Sequence, residues 1–271
     1  MKRREFLGNT IAAAAFASLT GGAQAQAAQP AENTNREYYE LRAYRFKAGA
    51  EHDLLDSFLE KAAIPAWNQL GIKPVGVFTE IDSKEAPVVY VLLPYPSIEV
   101  FAQAAARVAT DAPYQSNAAS DELLSYLLAS KSNPSFDRID VWLMLAFRGM
   151  PKLELPVYSK DKKPRIFEMR TYESHSELKA LKKIEMFNSG EIATMREVGL
   201  APVFYGQALT GPSLPHLTYM LSAENQEAHK QHWAAFNKHP VWVKLNGDRQ
   251  YADTVSKITS RFLTPTACSQ I

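Results

Sequence analysis

Two periods of apolar and polar positions take turns along the chain. Residues 37–46 alternate and are rich in aromatics, which predicts a strand, and Gly49 closes it. Leu54, Leu55, Phe58, Leu59 and Ala62 then fall at helical spacing, and Leu70-Gly71 marks the end of that helix. Strands are predicted at 74–79 and 87–93, separated by an Asp82-Ser83-Lys84 turn. Ser97 is placed to cap an alanine-rich helix running past Val108. Pro113 can open a further helical piece, a helical insert is predicted over 121–129, and 140–147 is a fourth strand. Strand, helix, strand, strand, helix, strand is the split βαβ, ferredoxin-like plan.

The plan occurs twice. Tyr39-Glu40-Leu41-Arg42-Ala43-Tyr44 recurs as Phe167-Glu168-Met169-Arg170-Thr171-Tyr172, every position displaced by 128. Ile64 and Ile192, Gly71 and Gly199, and Pro74 and Pro202 keep that displacement. Tyr90-Val91-Leu92 aligns with Tyr219-Met220-Leu221 at 129, as if one residue had entered the turn before the third strand, and Pro113 aligns with Pro240 at 127. The last strand is 260–264, ended by Pro265. A period this long marks a duplicated domain rather than a solenoid. The boundaries are 37–150 for the first domain, 151–164 for a linker with three prolines, and 165–266 for the second. A four-stranded sheet with helices on one face leaves its other face uncovered. The expected fold class is therefore α+β, two ferredoxin-like (βαββαβ) repeats packed sheet to sheet as an intramolecular dimeric α+β barrel.

Composition narrows the function. The chain has 271 residues, 46% hydrophobic and 22% charged, with a formal net charge of +1. These are soluble globular values, and nothing global points to nucleic acid or an anionic membrane. Cys268 is the single cysteine, so it forms no internal disulfide, and its place near the C-terminus predicts a frayed tail. The N-terminus reads as an export signal. Arg3-Arg4-Glu5-Phe6-Leu7 resembles the twin-arginine signal of bacteria, an apolar run follows over 11–19, and Ala23-x-Ala25 suits a signal peptidase. The run is too short for a stable membrane anchor, which needs about 20 residues. The expectation is a signal peptide over 1–25 cleaved near Ala25, a flexible tether over 26–36, and a periplasmic protein.

The repeated strand, together with Trp233-x-x-Phe236-x-x-His239-Pro240-x-Trp242 and Arg261-Phe262-Leu263-Thr264-Pro265, resembles the NIPSNAP family of the dimeric α+β barrel superfamily. The second half matches better. The first departs where Asp111-Ala112-Pro113-Tyr114 stands for the Trp-bearing segment and where 116–133 is expanded, and His239 replaces the acidic residue that usually precedes the proline. The resemblance implies a fold rather than a reaction, because the family has no agreed activity. The wider superfamily includes small monooxygenases, haem-degrading enzymes and stress-response barrels, which differ in their active-site residues.

The candidate residues follow from strand alternation. Tyr39, Leu41 and Ala43 share one face and Glu40, Arg42 and Tyr44 the other; Phe167, Met169 and Thr171 likewise oppose Glu168, Arg170 and Tyr172. The apolar face is expected against the helices, which turns the Glu, Arg and Tyr residues into the barrel. Tyr90 and Tyr219, at matching positions by the 129 offset, would join that lining or the core. The inward charges would either hold an anion and move a proton, or form an ion-pair network that fixes the register of the two sheets. His229 and His232 lie three apart on a predicted helix, and a metal or haem there would need a third ligand such as His239. Trp233, Phe236 and Trp242 read as helix anchors. No cofactor is predicted beyond that weak haem pattern. The expected function is a binding or interaction module with a small organic ligand inside the barrel, in a monomer or an oligomer. The alternative is a cofactor-free or haem-linked enzyme, monooxygenase- or isomerase-like, acting on a small substrate in that interior.

Overall fold

A computed structural model describes residues 35–50 and 52–271. The signal peptide expected over 1–25, and all but the end of the tether, lie outside the described residues. Among these residues no helix is long and apolar enough to cross a membrane.

The first half runs β1 (Tyr38–Arg45), α1 (Asp53–Phe58), a π-helical turn (Leu59–Ala63), α2 (Ile64–Gln69), β2 (Gly76–Glu80), β3 (Val88–Tyr95), α3 (Ile98–Ala109), α4 (Ala112–Ala118), α5 (Asp121–Leu127) and β4 (Arg138–Ala146). A short α6 (Val157–Lys160) lies in the linker. The second half repeats the order: β5 (Ile166–Glu173), α7 (Glu177–Met186), a π-helical turn (Phe187–Glu191), α8 (Ile192–Glu197), β6 (Ala201–Thr210), β7 (His216–Ala223), α9 (Gln226–Lys238), α10 (Pro240–Gly247) and β8 (Lys257–Pro265). Local signals place the helix starts: Ser97, Ser176 and Asn225 accept the first-turn amides of α3, α7 and α9. His239 caps α10 through Nδ1, so the exchanged family position keeps a capping function.

The eight strands close into one antiparallel barrel in the order β1-β3-β2-β8-β5-β7-β6-β4. Each half contributes a 4-1-3-2 sheet, and β2–β8 and β4–β6 are the seams. Closure abolishes the sheet edges and makes the halves one unit. Aromatic rings from opposite halves interlock inside: Phe78 meets Phe167 edge-on at 4.9 Å, and Tyr39 meets Phe204 at 5.2 Å.

Three expectations are corrected. The first concerns strand direction. Tyr39, Leu41 and Ala43 of β1, with Phe167 and Met169 of β5, fill the barrel interior. Glu40, Arg42, Tyr44, Glu168, Arg170 and Tyr172 therefore sit on the outer face beneath the helices, the reverse of the expected orientation. The reason is that both faces of these strands are buried, so polarity alone does not say which face turns inward. A packed barrel offers no water to a charge. The helix-covered side opens at its rims, and there the Arg42 and Arg170 side chains keep 25% and 19% of their exposure. The second correction concerns β3 and β7. Glu40 pairs with Leu93 and Glu168 with Leu221, so the displacement stays at 128. Tyr219 is thus the counterpart of Val91. Tyr90 lies in the interior, whereas Tyr219 belongs to the core beneath the helices.

The third correction is the C-terminal segment, which is docked rather than frayed. Thr266 N–H and Gln270 N–H donate to Val77 and Val75 carbonyls, and the Ile271 side chain is buried in the barrel core. Because the halves share one interior, truncating a ring there should unfold both together. Phe167→Ala is expected to lower stability by about 3–5 kcal/mol in a single cooperative denaturant transition, monitored by far-UV circular dichroism and tryptophan fluorescence.

Candidate functional site

β5 sets Glu168, Arg170 and Tyr172 at alternate positions on its outer face, and α9 lies over them. Glu168 is almost wholly buried and all its acceptor sites are used. Oε1 accepts from Arg170 Nη1 and Ser260 Oγ, both at 2.5 Å; Oε2 accepts from His229 Nε2 at 2.6 Å and Trp233 Nε1 at 2.8 Å. A carboxylate only accepts, so His229 must carry its proton on Nε2. The nearby Nε1 of Trp233 then gives its single hydrogen to Glu168 rather than to His229. Burial opposes ionisation of Glu168, but the His229 hydrogen bond, the Arg170 charge and the Ser260 hydroxyl outweigh it and bring the carboxyl down to about 2. A carboxylate so fully engaged has no lone pair for proton transfer; it orients Arg170, Trp233 and His229.

Arg170 is held on three sides. Nη1 meets Glu168, Nε donates to Tyr172 Oη at 3.3 Å, and the guanidinium lies 4.8 Å from the Trp233 ring centre and 5.5 Å from that of Tyr172. No hydrogen bond engages Nη2 among the described residues. Tyr172 and Tyr219 join hydroxyls at 2.9 Å, and burial pushes both phenols upward.

A second charged pair comes from α7 and the π-helical turn. The extra residue of a π-turn re-aims the following side chains, and Gly190 permits it at φ +144°. Glu191 thereby faces Lys183, with Oε2 accepting from Nζ at 2.8 Å. Both are buried, and the ammonium also lies 4.7 Å from the Phe187 ring centre and 5.3 Å from that of Trp242. Burial pushes the Glu191 carboxyl up against the downward pull of Lys183 and Arg170.

The two pairs border one cavity of about 580 Å³, walled by Trp233, Trp242, Tyr172 and Tyr251. The matching space in the first half is about 400 Å³ and holds Glu40 and Arg42 with Trp67, Phe58 and Phe101. There Arg42 grips Glu40 with Nε and Nη2 at 2.7 and 3.1 Å, and Tyr95 donates to Glu40 at 2.6 Å. At the 128 displacement Lys183 and Glu191 replace Leu55 and Ala63, and His229 and Trp233 replace Phe101 and Ala105. The duplication has thus kept the Glu–Arg core in both copies, while only the second copy surrounds it with further polar groups. Sequence reading missed Lys183 and Glu191, although the exchange of two apolar helix positions for an opposite-charge pair was visible between the repeats. It also took Trp233 and Trp242 for anchors alone, whereas both line the cavity.

Residues 39–133 and 167–270 match the NIPSNAP family model. The chain belongs to the NIPSNAP family. No curated protein matches this NIPSNAP protein. A putative monooxygenase from Lactobacillus acidophilus shares the fold at 8% identity and a TM-score of 0.53, over 85% of this chain and 94% of its own. A NIPSNAP-like domain protein from Burkholderia xenovorans aligns at 20% identity and a TM-score of 0.34, over 38% of this chain and 86% of its own. A haem-binding protein from Thermus thermophilus aligns at 12% identity and a TM-score of 0.42, over 86% and 92%.

The three histidines considered for a metal do not converge. His229 is bound to Glu168, His232 packs over Gly199, and His239 caps α10 with Nε2 3.2 Å from Glu197. The one group of three such donors among the described residues is His52, Asp53 and Asp56 on the opposite half, where His52 already pairs with Asp56 at 2.9 Å. The cavity walls hold no histidine or cysteine; of the residue types that ligate haem iron they carry Met186, Tyr172 and Tyr251.

Two stability experiments test the site. Glu168 has a folded pKa below its ordinary 4.5, so its contribution is full above pH 4.5 and is lost as the pH falls through about 2. Glu168→Gln should cost about 3 kcal/mol at pH 7, and its stability gap from the parent, measured by urea denaturation, should shrink below pH 4.5. Lys183→Leu alone should cost about 3–5 kcal/mol by stranding Glu191. Lys183→Leu with Glu191→Ala, which restores the residues of the first half, should recover most of that loss in the same assay.

Proposed function

We propose that this NIPSNAP protein binds a small organic molecule with an acceptor head, a carboxylate or an enolised carbonyl, and a flat apolar body. The site is the outer cavity of the second half. The carrying observation is Arg170, whose charge partner is saturated by four donors while its own Nη2 stays uncommitted beside an aromatic-walled space. A guanidinium held by Glu168, Tyr172 and Trp233 needs no reordering to take a planar acceptor, so less binding energy is lost to entropy. Trp233, Trp242 and Tyr251 supply the faces for a ring. The barrel interior, where the ligand was first expected, is packed by aromatic and aliphatic side chains at its centre.

A catalytic reading, isomerase-like and without cofactor, is favoured by one feature. Glu191 borders the cavity with its carboxyl raised by burial, the direction that makes a carboxylate a better proton acceptor. In that reading Glu191, not Glu168, moves the proton, and Arg170 holds the developing enolate.

A titration tests the site and an exchange experiment separates the readings. Benzoate and phenylpyruvate should quench fluorescence from Trp233 and Trp242, the neutral benzamide should not, and Arg170→Gln should weaken the anions about tenfold or more. Equal binding by Arg170→Gln, or no response to either anion, overturns the proposal. Solvent deuterium entering the methylene of phenylpyruvate faster than in buffer, with the gain lost in Glu191→Gln, would establish catalysis. Binding without exchange leaves a binding protein.

A further inference from the structure

The barrel is packed at its centre but not at the end where β1 and β5 finish. A cavity of about 180 Å³ opens there, floored by Leu41 and Met169. It is separate from the site proposed above and lies on the opposite face of the sheet.

Its wall carries an ordered polar chain. Thr171 Oγ1 and Thr218 Oγ1 are 2.9 Å apart on neighbouring strands, and Thr218 Oγ1 is 3.3 Å from His216 Nδ1. If each hydroxyl passes its hydrogen along this chain, Nδ1 accepts and Nε2 carries the ring proton. His216 is 3% exposed, yet Nε2 has no hydrogen-bond partner among the described residues. The Pro212 carbonyl, which accepts from Trp142 Nε1 at 3.1 Å, lies close enough to His216 to favour its protonated form but does not meet Nε2 in hydrogen-bond geometry. A buried donor left open is costly and therefore marks a place for an acceptor.

The rim shows which acceptor. Arg45 and Arg138 share Asp140, Arg261 pairs with Glu80 at 2.7 Å, and Lys257 pairs with Glu173 at 3.2 Å. Of these groups, Arg45, Arg261 and Lys257 line the cavity with one carboxylate, Glu173. Arg45 and Arg261 each use one nitrogen in these pairs and keep further N–H donors. Burial lowers the affinity of His216 for a second proton, so its ring is a neutral donor and the rim supplies the charge. We infer that this end of the barrel is a second binding site, for a small oxyanion such as a carboxylate or phosphate, held by His216 Nε2 and the guanidinium groups of Arg45 and Arg261.

The test uses the intact protein and two probes, sodium acetate and sodium phosphate, titrated at constant ionic strength. Histidine ring signals are followed by ¹⁵N–¹H correlation spectroscopy, and the His216 signal is identified by its loss in His216→Phe. A saturable shift of that signal is expected. Response to acetate alone indicates an organic carboxylate as the natural ligand; response to phosphate alone indicates a phosphate-bearing one. Calorimetry on the variants should show binding abolished in His216→Phe, retained in His216→Gln, which keeps a donor, and about tenfold weaker in Arg261→Gln. Arg170→Gln should leave it unchanged, so failure here is distinct from failure of the outer site. No saturable shift with either anion, or binding that survives His216→Phe, overturns the inference.

Discussion

Closing two four-stranded sheets into one barrel buries both faces of every central strand, and the distribution of charge follows from that constraint. The interior faces of β1 and β5 must fill a shared core, so Tyr39, Leu41, Phe167 and Met169 point inward. The charges of the repeated Glu-x-Arg-x-Tyr strand can then go only beneath the helices. A carboxylate there is tolerated if its acceptor sites are filled. Glu168 fills them with one arginine, one serine, one histidine and one tryptophan, contributed by β5, β8 and α9. A single buried charge thus ties a helix and two strands together.

The duplicated halves show how such a solution diverges. Both retain Glu and Arg two apart, and both bend the first helix through a π-turn at corresponding positions. In the first half the Glu40 carboxylate needs only Arg42 and Tyr95, and its surroundings are Phe58, Trp67 and Phe101. In the second half an imidazole, an indole and a second ion pair enter the same frame. Added buried charge rarely increases stability over apolar packing. Its presence in one copy only, around the larger space, argues for recognition of a ligand, since a structural need common to both copies would have been met in the same way twice.

The fold was legible because its evidence is periodic. Alternation around Tyr39–Tyr44, helical spacing from Leu54 to Ala62, and the 128 displacement each constrain the backbone, and the resemblance of the Trp233–Trp242 segment to a known family agreed with them. The direction of the strands was not legible. Alternation separates Glu40 from Leu41 but does not say which is inside when helices cover one face and another sheet the other. The single-residue misalignment of Tyr90 with Tyr219 shows the same limit, because a slip of one exchanges the faces. Lys183 and Glu191, eight residues apart, share a helix face but lie two turns from one another in regular spacing, and the π-turn between them is not announced by the residue pattern. His216 stands isolated in sequence, and its open nitrogen emerges only when β5 and β7 bring Thr171 and Thr218 together beside it.

The four donors around Glu168 have a consequence beyond stability. Each hydrogen bond that depresses the carboxyl also removes a lone pair that could take a substrate proton, so depth of burial and basicity work against each other at this residue. Arg170 changes in the opposite sense. The same bonds that occupy Glu168 fix the guanidinium plane and leave Nη2 without a hydrogen bond among the described residues, in a residue that lines the cavity. A flexible arginine would lose side-chain entropy on meeting a ligand, about 2 kcal/mol at most, and this one has already lost it on folding. The Glu168–Arg170 pair therefore need not be classed as either structural or functional. Its structural role is what fixes the guanidinium that the proposed binding role requires, and the carboxyl that burial leaves more basic is Glu191.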